Sequence, residues 1–157
     1  MENNWIVKIA EEKDLNRWYN LLDSVKHEFY DLDLANDENH RNFLRRNFDR
    51  KTAIYVEDED TIIGGMVYSP KSNQISWLGV NPNYRRKGIG TLLVRYMLEK
   101  LNDRIEFKVK TFIEEHWQSK ASHSFYKSLG FEPKEICYDG MENNAGHPML
   151  EFLKKIE

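Results

Sequence analysis

Apolar residues recur at intervals of three and four positions in the first part of the chain. This spacing is typical of the buried face of an amphipathic helix. It is seen in Leu15, Trp18, Leu22, Val25 and Phe29. Similar patterns predict three further helices: a short one around Phe43, Leu44 and Phe48, then Thr91–Leu101 and Ser119–Leu129. Gly130 follows the last helix at a position where a left-handed C-terminal cap is common.

Alternating apolar and polar positions predict strands between these helices. The predicted strands are Trp5–Ile9, Ala53–Val56, Thr61–Tyr68, Gln74–Val80, Ile105–Ile113, Phe131–Tyr138 and Met149–Leu153. Short polar turns join the second, third and fourth strands into a predicted meander, and a helical crossover follows it. The order β-α-α-β-β-β-α-β-α-β-β therefore predicts an α/β fold of the α+β type. Its mixed, mostly antiparallel sheet of about seven strands is flanked by helices on both faces.

The composition is that of an ordinary folded protein. The 157 residues are 40% apolar and 31% charged, which favours one domain over residues 1–157. No apolar run is long enough to cross a bilayer and residues 1–4 do not begin a signal peptide, so a cytoplasmic location is expected. Cys137 is the only cysteine; this excludes a cysteine-rich zinc site, and no metal is expected. The net charge of −3 gives no general attraction to nucleic acid.

The segment Tyr84–Thr91 combines basic residues with two glycines between a predicted strand and a predicted helix. Such a junction exposes backbone N–H groups at the positive end of a helix dipole, which suits a phosphate group. Gly88 and Gly90 lack the Cβ atoms that would keep a phosphate away. The Walker pattern is absent, and the third glycine of a Rossmann pattern would fall at Leu93. A glycine-tolerant turn with a solvated basic face is the alternative.

Two motifs in the chain resemble those of the GCN5-related N-acetyltransferases, the GNAT superfamily. Arg85–Gly90 fits the signature (Gln/Arg)-x-x-Gly-x-(Gly/Ala), and Trp77–Tyr84 looks like the fourth strand and the loop that precede it. Phe125–Phe131 resembles the Leu-Tyr-Glu-Lys-Leu-Gly-Phe segment of the family. The resemblance implies the acyl-CoA N-acyltransferase fold and an N-acetyltransferase that uses acetyl-CoA.

The resemblance also implies a cofactor site. Residues Arg86–Thr91 would offer main-chain donors to the pyrophosphate of coenzyme A, and Leu78 and Val80 would pair with its pantetheine arm where two parallel strands separate. Tyr126 matches the tyrosine that faces the sulfur. The family often has asparagine seven residues earlier, where this chain has the shorter Ser119. The implied cofactor-binding residues are Leu78, Gly79, Val80, Arg85, Arg86, Lys87, Gly88, Ile89, Gly90, Thr91, Ser119 and Tyr126.

The expected reaction is direct transfer of the acetyl group to a primary amine. An amine with a pKa of about 10.4 must first lose a proton, at a cost of roughly 4–5 kcal/mol at pH 7. Tyr126 is the predicted catalytic residue, as acid or hydrogen-bond donor to the departing thiolate; a packed aromatic is the alternative. The base is left open, because the strand Gln74–Val80 has no carboxylate or histidine. The candidates are a water relay, Glu114, Glu115 and His116, or His27 and Glu28.

The first two helices and the loop between them usually wall the acceptor pocket of this fold. Here that segment contains Glu28, Phe29 and Tyr30 among further carboxylates. Carboxylates and aromatic rings suit a cationic amine, so these three residues and Glu115 are the predicted substrate residues. An acidic surface loop is the alternative. Other residues that could close the pocket are Trp117, Tyr138 and Asp139.

Two other classes of function compete with an enzyme acting on a small-molecule or peptide amine. A domain that keeps the coenzyme A site could serve as an acyl-CoA sensor or scaffold without turnover, and Ser119 with the missing base leaves this open. Nucleic-acid binding through the basic runs is disfavoured by the overall acidity. No membrane partner is expected, and the resemblance implies a possible homodimer through the C-terminal strands.

Overall fold

The computed structural model describes residues 4–29, 32–113, 117–138 and 148–156, and for residues 28–29 and 117–120 it describes the backbone alone. Within these ranges four α-helices and seven strands follow one another in the predicted order. The helices are α1 (Leu15–Val25), α2 (Glu38–Arg50), α3 (Ile89–Lys100) and α4 (Trp117–Ser128). The strands are β1 (Lys8–Ile9), β2 (Ala53–Asp58), β3 (Thr61–Ser69), β4 (Gln74–Val80), β5 (Glu106–Phe112), β6 (Glu132–Cys137) and β7 (Met149–Lys155).

The seven strands form one sheet in the order β1-β2-β3-β4-β5-β7-β6. The pairs β2–β3 and β3–β4 are antiparallel, which confirms the predicted meander. β4 and β5 are parallel because the crossover α3 returns the chain to the same end of the sheet. β5, β7 and β6 complete the sheet as antiparallel neighbours. The fold is therefore the predicted mixed, mostly antiparallel sheet.

Helices cover both faces of the sheet because successive side chains of a strand point to opposite faces. In β2, Ile54 and Val56 pack into a core that includes α3 and Tyr126 of α4. Ala53 and Tyr55 pack into a second core, formed with α1 and α2. No helix within the described ranges has the length and apolar content needed to cross a bilayer.

A network of charged groups ties α1 to the sheet. Arg17 donates to Asp14 Oδ1 at 2.6 Å, to Glu57 Oε1 at 3.3 Å and to the Tyr55 hydroxyl at 3.3 Å. Asp14 is buried, and its second oxygen accepts the backbone N–H of Glu11 at 2.9 Å. Burial would raise the pKa of Asp14, but the bonds from Arg17 and Glu11 hold it below its ordinary value. The buried carboxylate is therefore charged and depends on Arg17.

A one-residue bulge in β4 separates that strand from β5. The register pairs with β3 change from Val67–Trp77 to Tyr68–Ile75, so Ser76 is the extra residue. The register pairs with β5 are Gln74–Lys108 and Ile75–Val109, which both precede the bulge. Because a bulge bends its strand and increases the twist, the remaining parts of β4 and β5 diverge. The bulge also puts Ile75 and Trp77, two residues apart, into opposite cores.

The first strand is shorter than predicted. Alternation covers Trp5–Ile9, whereas only Lys8–Ile9 pairs with β2. Trp5 instead packs edge-to-face against Tyr84, with 6.3 Å between the ring centroids. Trp5, one of the apolar residues that suggested a strand, therefore packs against the segment that precedes α3, whereas Ile6 is exposed.

The first two helices also differ from the predicted ranges. α1 ends at Val25, and a 3-10 segment carries the chain to Phe29. α2 begins at Glu38 because Asp37 caps it, accepting the backbone N–H of His40 at 2.9 Å. α2 is thus longer than its three apolar positions indicated.

Candidate active site

A cleft of about 1080 Å³ opens where β4 and β5 diverge. It is bounded by the two strands, the N-terminus of α3, one face of α4 and the first turn of α2 with the segment before it. One continuous space thus reaches from the glycine loop to residues of four other elements.

α3 begins at this cleft without a side-chain cap. Its N-cap residue is Gly88, with φ of +79°, and among the described residues this end of the helix has no side-chain cap hydrogen bond. Arg86 also has a positive φ, +63°. Left-handed residues in such a turn gather successive N–H groups into a concavity that attracts anions. Because Gly88, Ile89, Gly90 and Thr91 line the cleft, the unbonded donors and the positive end of the helix dipole lie against it.

The two glycines of this loop are required for different reasons. A Cβ at Gly88 would meet no atom within 4 Å, but its φ is one that side-chain-bearing residues rarely adopt. Gly88 therefore sets the loop conformation and leaves the adjoining space open. A Cβ at Gly90 would lie 3.0 Å from Cζ of Phe125. The missing side chain at Gly90 lets α4 pack against α3, a reason that the sequence pattern did not indicate.

Side chains hold the loop before α3 in place. Arg85 donates from Nε and Nη2 to the carbonyl oxygen of Val80 at 3.2 and 3.0 Å. The Tyr84 hydroxyl donates to Asp58 Oδ2 at 2.8 Å. Arg85 is thus folded back onto the end of β4. Arg86 is exposed and lines the cleft, whereas Lys87 is exposed and is not among the lining residues.

The backbone of β4 faces the cleft at Leu78 and Val80. In an antiparallel pair, alternate residues bond the neighbouring strand and the others point away from it. Asn81 donates its N–H to Ile63 of β3 at 2.7 Å, so Leu78 and Val80 turn their N–H and C=O groups toward β5. β5 does not pair with this part of β4. The Val80 carbonyl accepts a hydrogen bond from Arg85. The N–H of Val80 and both backbone groups of Leu78 lie outside the β4–β5 ladder.

Tyr126 lies on the wall that α4 contributes and is 5% exposed. Its ring packs edge-on against Phe125 and Phe131, with centroid distances of 5.1 and 5.6 Å. Burial raises the pKa of Tyr126 well above its ordinary value. This wall of the cleft therefore carries a phenol that keeps its proton throughout the neutral range.

His123 fixes the position of α4 near Tyr126. It is buried, and its Nε2 lies 2.7 Å from the carbonyl oxygen of Phe112 at the end of β5. Since that carbonyl can only accept, Nε2 is the donor. His123 and Tyr126 are three residues apart on one helix face, so this bond holds the tyrosine beside the divergent strands.

Five polar residues and one phenylalanine near the start of α2, here called the α2 region, form a further wall of the cleft. Its members are Asp33, Asn36, Asp37, Asn39, His40 and Phe43. Asp33 accepts from the side chain of Asn36 and Asp37 from the backbone of His40, both at 2.9 Å. Both carboxylates are exposed. The cleft is therefore negative in the α2 region and positive beside α3.

His40 carries a buried polar atom within the α2 region. Its Nε2 is inaccessible to solvent and has no hydrogen-bond partner among the residues that the structure describes. Its ring packs against Phe43 with 5.3 Å between the centroids. Burial lowers the pKa of His40 to about 4, although the charge of Asp37 opposes this. The imidazole is therefore uncharged at neutral pH.

Most of the predicted cofactor residues come together in the cleft. They are Leu78, Gly79, Val80, Arg85, Arg86, Gly88, Ile89, Gly90, Thr91 and Tyr126. The predicted residues that lie outside the described part, wholly or in their side chains, are Glu28, Phe29, Tyr30, Glu114, Glu115, His116, Trp117, Ser119 and Asp139. Of the other candidates, His27 and Tyr138 are exposed and are not among the lining residues. The roles assigned to all these residues stay predictions.

The cleft lining includes residues that the sequence did not single out as site residues, among them His40, Phe43 and Thr111. A helix was already predicted around Phe43. His40 lies three residues before Phe43 on the same helix face, and this spacing is the signal that could have identified it. Thr111 is buried near the end of β5 and carries no signal of its own, because it lines the cleft only through the divergence of β4 from β5. Within the described ranges, no group of three or more His, Cys, Asp or Glu residues is arranged to hold a metal ion.

Comparisons with known proteins agree with this geometry. The sequence profile of the acetyltransferase (GNAT) family matches residues 13–131. Among solved structures, a GNAT-family acetyltransferase from Bacillus cereus ATCC 10987 is 20% identical with a TM-score of 0.74, covering 99% of each chain. PaiA N-acetyltransferase from Thermoplasma acidophilum, solved with coenzyme A, is 16% identical with a TM-score of 0.75, covering 98% of this chain and 100% of the other.

A third solved structure is the ribosomal-protein-alanine N-acetyltransferase from Brucella melitensis. It is 20% identical with a TM-score of 0.71, covering 96% of this chain and 99% of the other. A comparison with curated protein sequences gave no significant match. At these identities the structural likeness concerns the fold, whereas the family profile spans most of the chain, including the loop before α3 and Tyr126. The chain belongs to the GNAT family of acetyltransferases, which use acetyl-CoA.

Proposed function

We propose that this acetyltransferase moves the acetyl group of acetyl-CoA to a primary amine of a small molecule or peptide by direct attack. The observation that carries the proposal is one continuous cleft lined by the uncapped start of α3, the unpaired edge of β4, Tyr126 and the α2 region. The start of α3, the edge of β4 and Tyr126 suit an extended cofactor with phosphate groups. The α2 region suits a cationic amine.

The residues present fit coenzyme A. The backbone N–H groups of Gly88–Thr91 would hold the pyrophosphate, and the exposed guanidinium of Arg86 would add positive charge. Leu78 and Val80 would bond the amides of the pantetheine arm as a neighbouring strand would. Arg85 would shape the loop through its bonds to Val80 rather than bind phosphate. Ser119, through its place in α4, is proposed as a further pantetheine contact.

The chemistry assigned to the chain centres on Tyr126. Bound acetyl-CoA supplies a thioester whose sulfur leaves as a thiolate. Burial holds the pKa of Tyr126 above its ordinary value, and a thiol has a pKa of about 8.5, so Tyr126 would donate a hydrogen bond to the sulfur without giving up its proton. The acceptor amine must lose a proton, and a water relay is proposed because β4 has no carboxylate or histidine.

The substitution Gly88→Ala tests the cofactor site. The left-handed φ of +79° disfavours alanine, and the added Cβ would enter the open space beside the loop. We expect the affinity for coenzyme A, measured by calorimetry, to fall about tenfold or more, since ~1.4 kcal/mol corresponds to a factor of ten. The matched control is Gly130→Ala, which places alanine at a φ of +90° away from the cleft. Unchanged affinity in folded Gly88→Ala would refute the assignment.

Amine-dependent release of thiol from acetyl-CoA separates an enzyme from a sensor. Spermidine and a peptide that begins with alanine serve as probes of the two acceptor types. Release with either amine supports transfer. Tight binding of acetyl-CoA with no release in any amine tested would favour a sensor or scaffold instead.

We also propose that two copies of the chain pair through the C-terminal strands. β6 is an edge strand of the sheet, and Ile136 in it and Tyr138 just after it are 43% and 65% exposed. Exposed apolar side chains on an edge strand favour pairing with another chain. A monomeric mass in analytical ultracentrifugation at micromolar concentration would contradict this.

A further inference from the structure

His40 presents a buried polar atom that has no hydrogen-bond partner in the described part of the chain. Its Nε2 is buried and unbonded among the described residues, whereas its backbone N–H is satisfied by Asp37. A buried polar atom without a partner is destabilising, and natural proteins keep few of them. Nε2 itself is closed to solvent, but the residue lines the cleft, so a turn of the ring would bring this nitrogen to a bound molecule that supplies the missing hydrogen bond.

The surroundings of His40 restrict what that molecule can be. The exposed carboxylates of Asp33 and Asp37 repel anions and attract cations. Phe43 lies against the imidazole and offers an apolar face to a carbon chain. Burial keeps the ring uncharged at neutral pH, so its nitrogen can accept an N–H without repelling a positive group. A primary amine on a short carbon chain satisfies all three conditions.

We propose that His40 is the acceptor-binding residue of this enzyme: its Nε2 accepts a hydrogen bond from the primary amine that is to be acetylated, while Phe43 packs against the adjoining carbons. This rests on the proposed function, because the amine matters only if the cleft also holds acetyl-CoA. The same chemistry can come from a small alkylamine or from the N-terminus of a peptide, and the probes distinguish these sources.

The direct test follows the imidazole nitrogens of His40 by NMR. Protein labelled with ¹⁵N-histidine and saturated with coenzyme A is titrated with 1,5-diaminopentane and, separately, with a tripeptide that begins with alanine. The His40 signals are assigned by their loss in His40→Phe. We expect the Nε2 signal to move with at least one probe, while the signals of exposed His27 stay in place. His40 signals that move with neither probe overturn the proposal.

Two substitutions make the test quantitative. His40→Phe keeps a ring beside Phe43 and removes the nitrogen, so we expect the unfolding temperature to be unchanged or higher. The affinity for coenzyme A should stay within twofold, and the Kd for the responding amine should rise at least tenfold. His40→Gln, which restores a polar atom at a similar reach, should recover part of the loss. Asn42→Ala, at an exposed position of α2 outside the cleft lining, is the control and should bind both ligands normally.

The failures of the two proposals are distinguishable. If the unaltered protein does not bind coenzyme A, the proposed function is refuted. Normal coenzyme A binding with amine affinity that is equal in His40→Phe and the unaltered protein would refute the role of His40 alone.

Discussion

Tyr126 and His40 line one cleft, and the same cause moves their pKa values in opposite directions. Burial disfavours the charged form of any group, so it raises the pKa of the tyrosine and lowers that of the histidine. Both side chains are therefore neutral at pH 7. The sequence predicted Tyr126 because a motif marks it. It could not predict the state of His40, because that state depends on how far the folded chain buries the ring.

Tyr126→Phe separates a role in the reaction from a role in packing. The ring keeps its contacts with Phe125 and Phe131, while the proposed hydrogen bond to the leaving sulfur is lost. We expect kcat to fall by about 10- to 100-fold, the range of one donor in a transition state. The dissociation constant of coenzyme A, measured by calorimetry, should change less than twofold. A loss of affinity as large as the loss of kcat would identify a packing role.

The lowered pKa of His40 predicts a pH dependence of stability. The pKa is about 4 in the folded protein and 6.5 ordinarily, so the unfolded chain binds more protons between these pH values. Stability therefore rises with pH across this window and is fully present above 6.5. We expect this group to remove up to about 3 kcal/mol between pH 6.5 and 4.

Urea unfolding at several pH values from 4.5 to 7.5 measures this contribution. In His40→Phe the group is absent, so the free energy of unfolding should fall less steeply below pH 6.5 than in the unaltered protein. Parallel curves for the two proteins would show that His40 is not responsible.

At the scale of elements, periodicity predicted the order of helices and strands and both ends of β4. It did not predict the bulge, since Ser76 and its neighbours lie in an ordinary strand pattern. A bulge is decided by how β4 pairs with β3 and by which core accepts Trp77. The residues of the cofactor loop were thus predictable from the sequence. The separation of β4 and β5 was expected only through the family resemblance, and the bulge that produces it was not predicted.

Arg17 anchors α1 to the sheet, so its removal should destabilise the fold without changing the site. Arg17→Met leaves the Asp14 carboxylate buried with only the Glu11 N–H as partner. We expect the free energy of unfolding in urea to fall by about 3–5 kcal/mol, as for other buried pairs that lose one partner. The control Lys13→Met breaks an exposed pair with Glu11 and should cost less than about 1 kcal/mol.

The second substitution Asp14→Asn, added to Arg17→Met, should recover part of this loss because it removes the buried charge. Coenzyme A affinity should be retained in every variant that folds, since these residues are not among those that line the cleft. If Arg17→Met is as stable as Lys13→Met, the network contributes little.

At the scale of the whole molecule, the sheet has a narrow seam. β4 and β5 meet in two register pairs, whereas β5 and β7 are paired along their whole length. The cleft lies beside this seam and draws its walls from both sides of it. A ligand bound there therefore bridges the two parts of the sheet.

The assignment of residues 1–157 to a single domain stays a prediction, which a single calorimetric transition would support.

Coenzyme A should stabilise the folded protein by mass action. At a concentration of 100 Kd the gain is about 2.7 kcal/mol, and calorimetric unfolding with and without the cofactor measures it. Hydrogen exchange should also slow at the amides of Leu78 and Val80, which lie outside the β4–β5 ladder. A rise in the unfolding temperature with no slowing at these two amides would place the cofactor elsewhere.

The bulge at Ser76 gives the site an unusual sensitivity to chain length. Its effect comes from one additional backbone unit opposite Val67 and Tyr68, so many side chains at position 76 should serve equally well. Deleting the residue would let β4 pair continuously with β3, remove the bend in β4 and favour closure against β5. Sequences that descend from this chain should therefore differ often in the type of residue at position 76, but they should rarely lack a residue there.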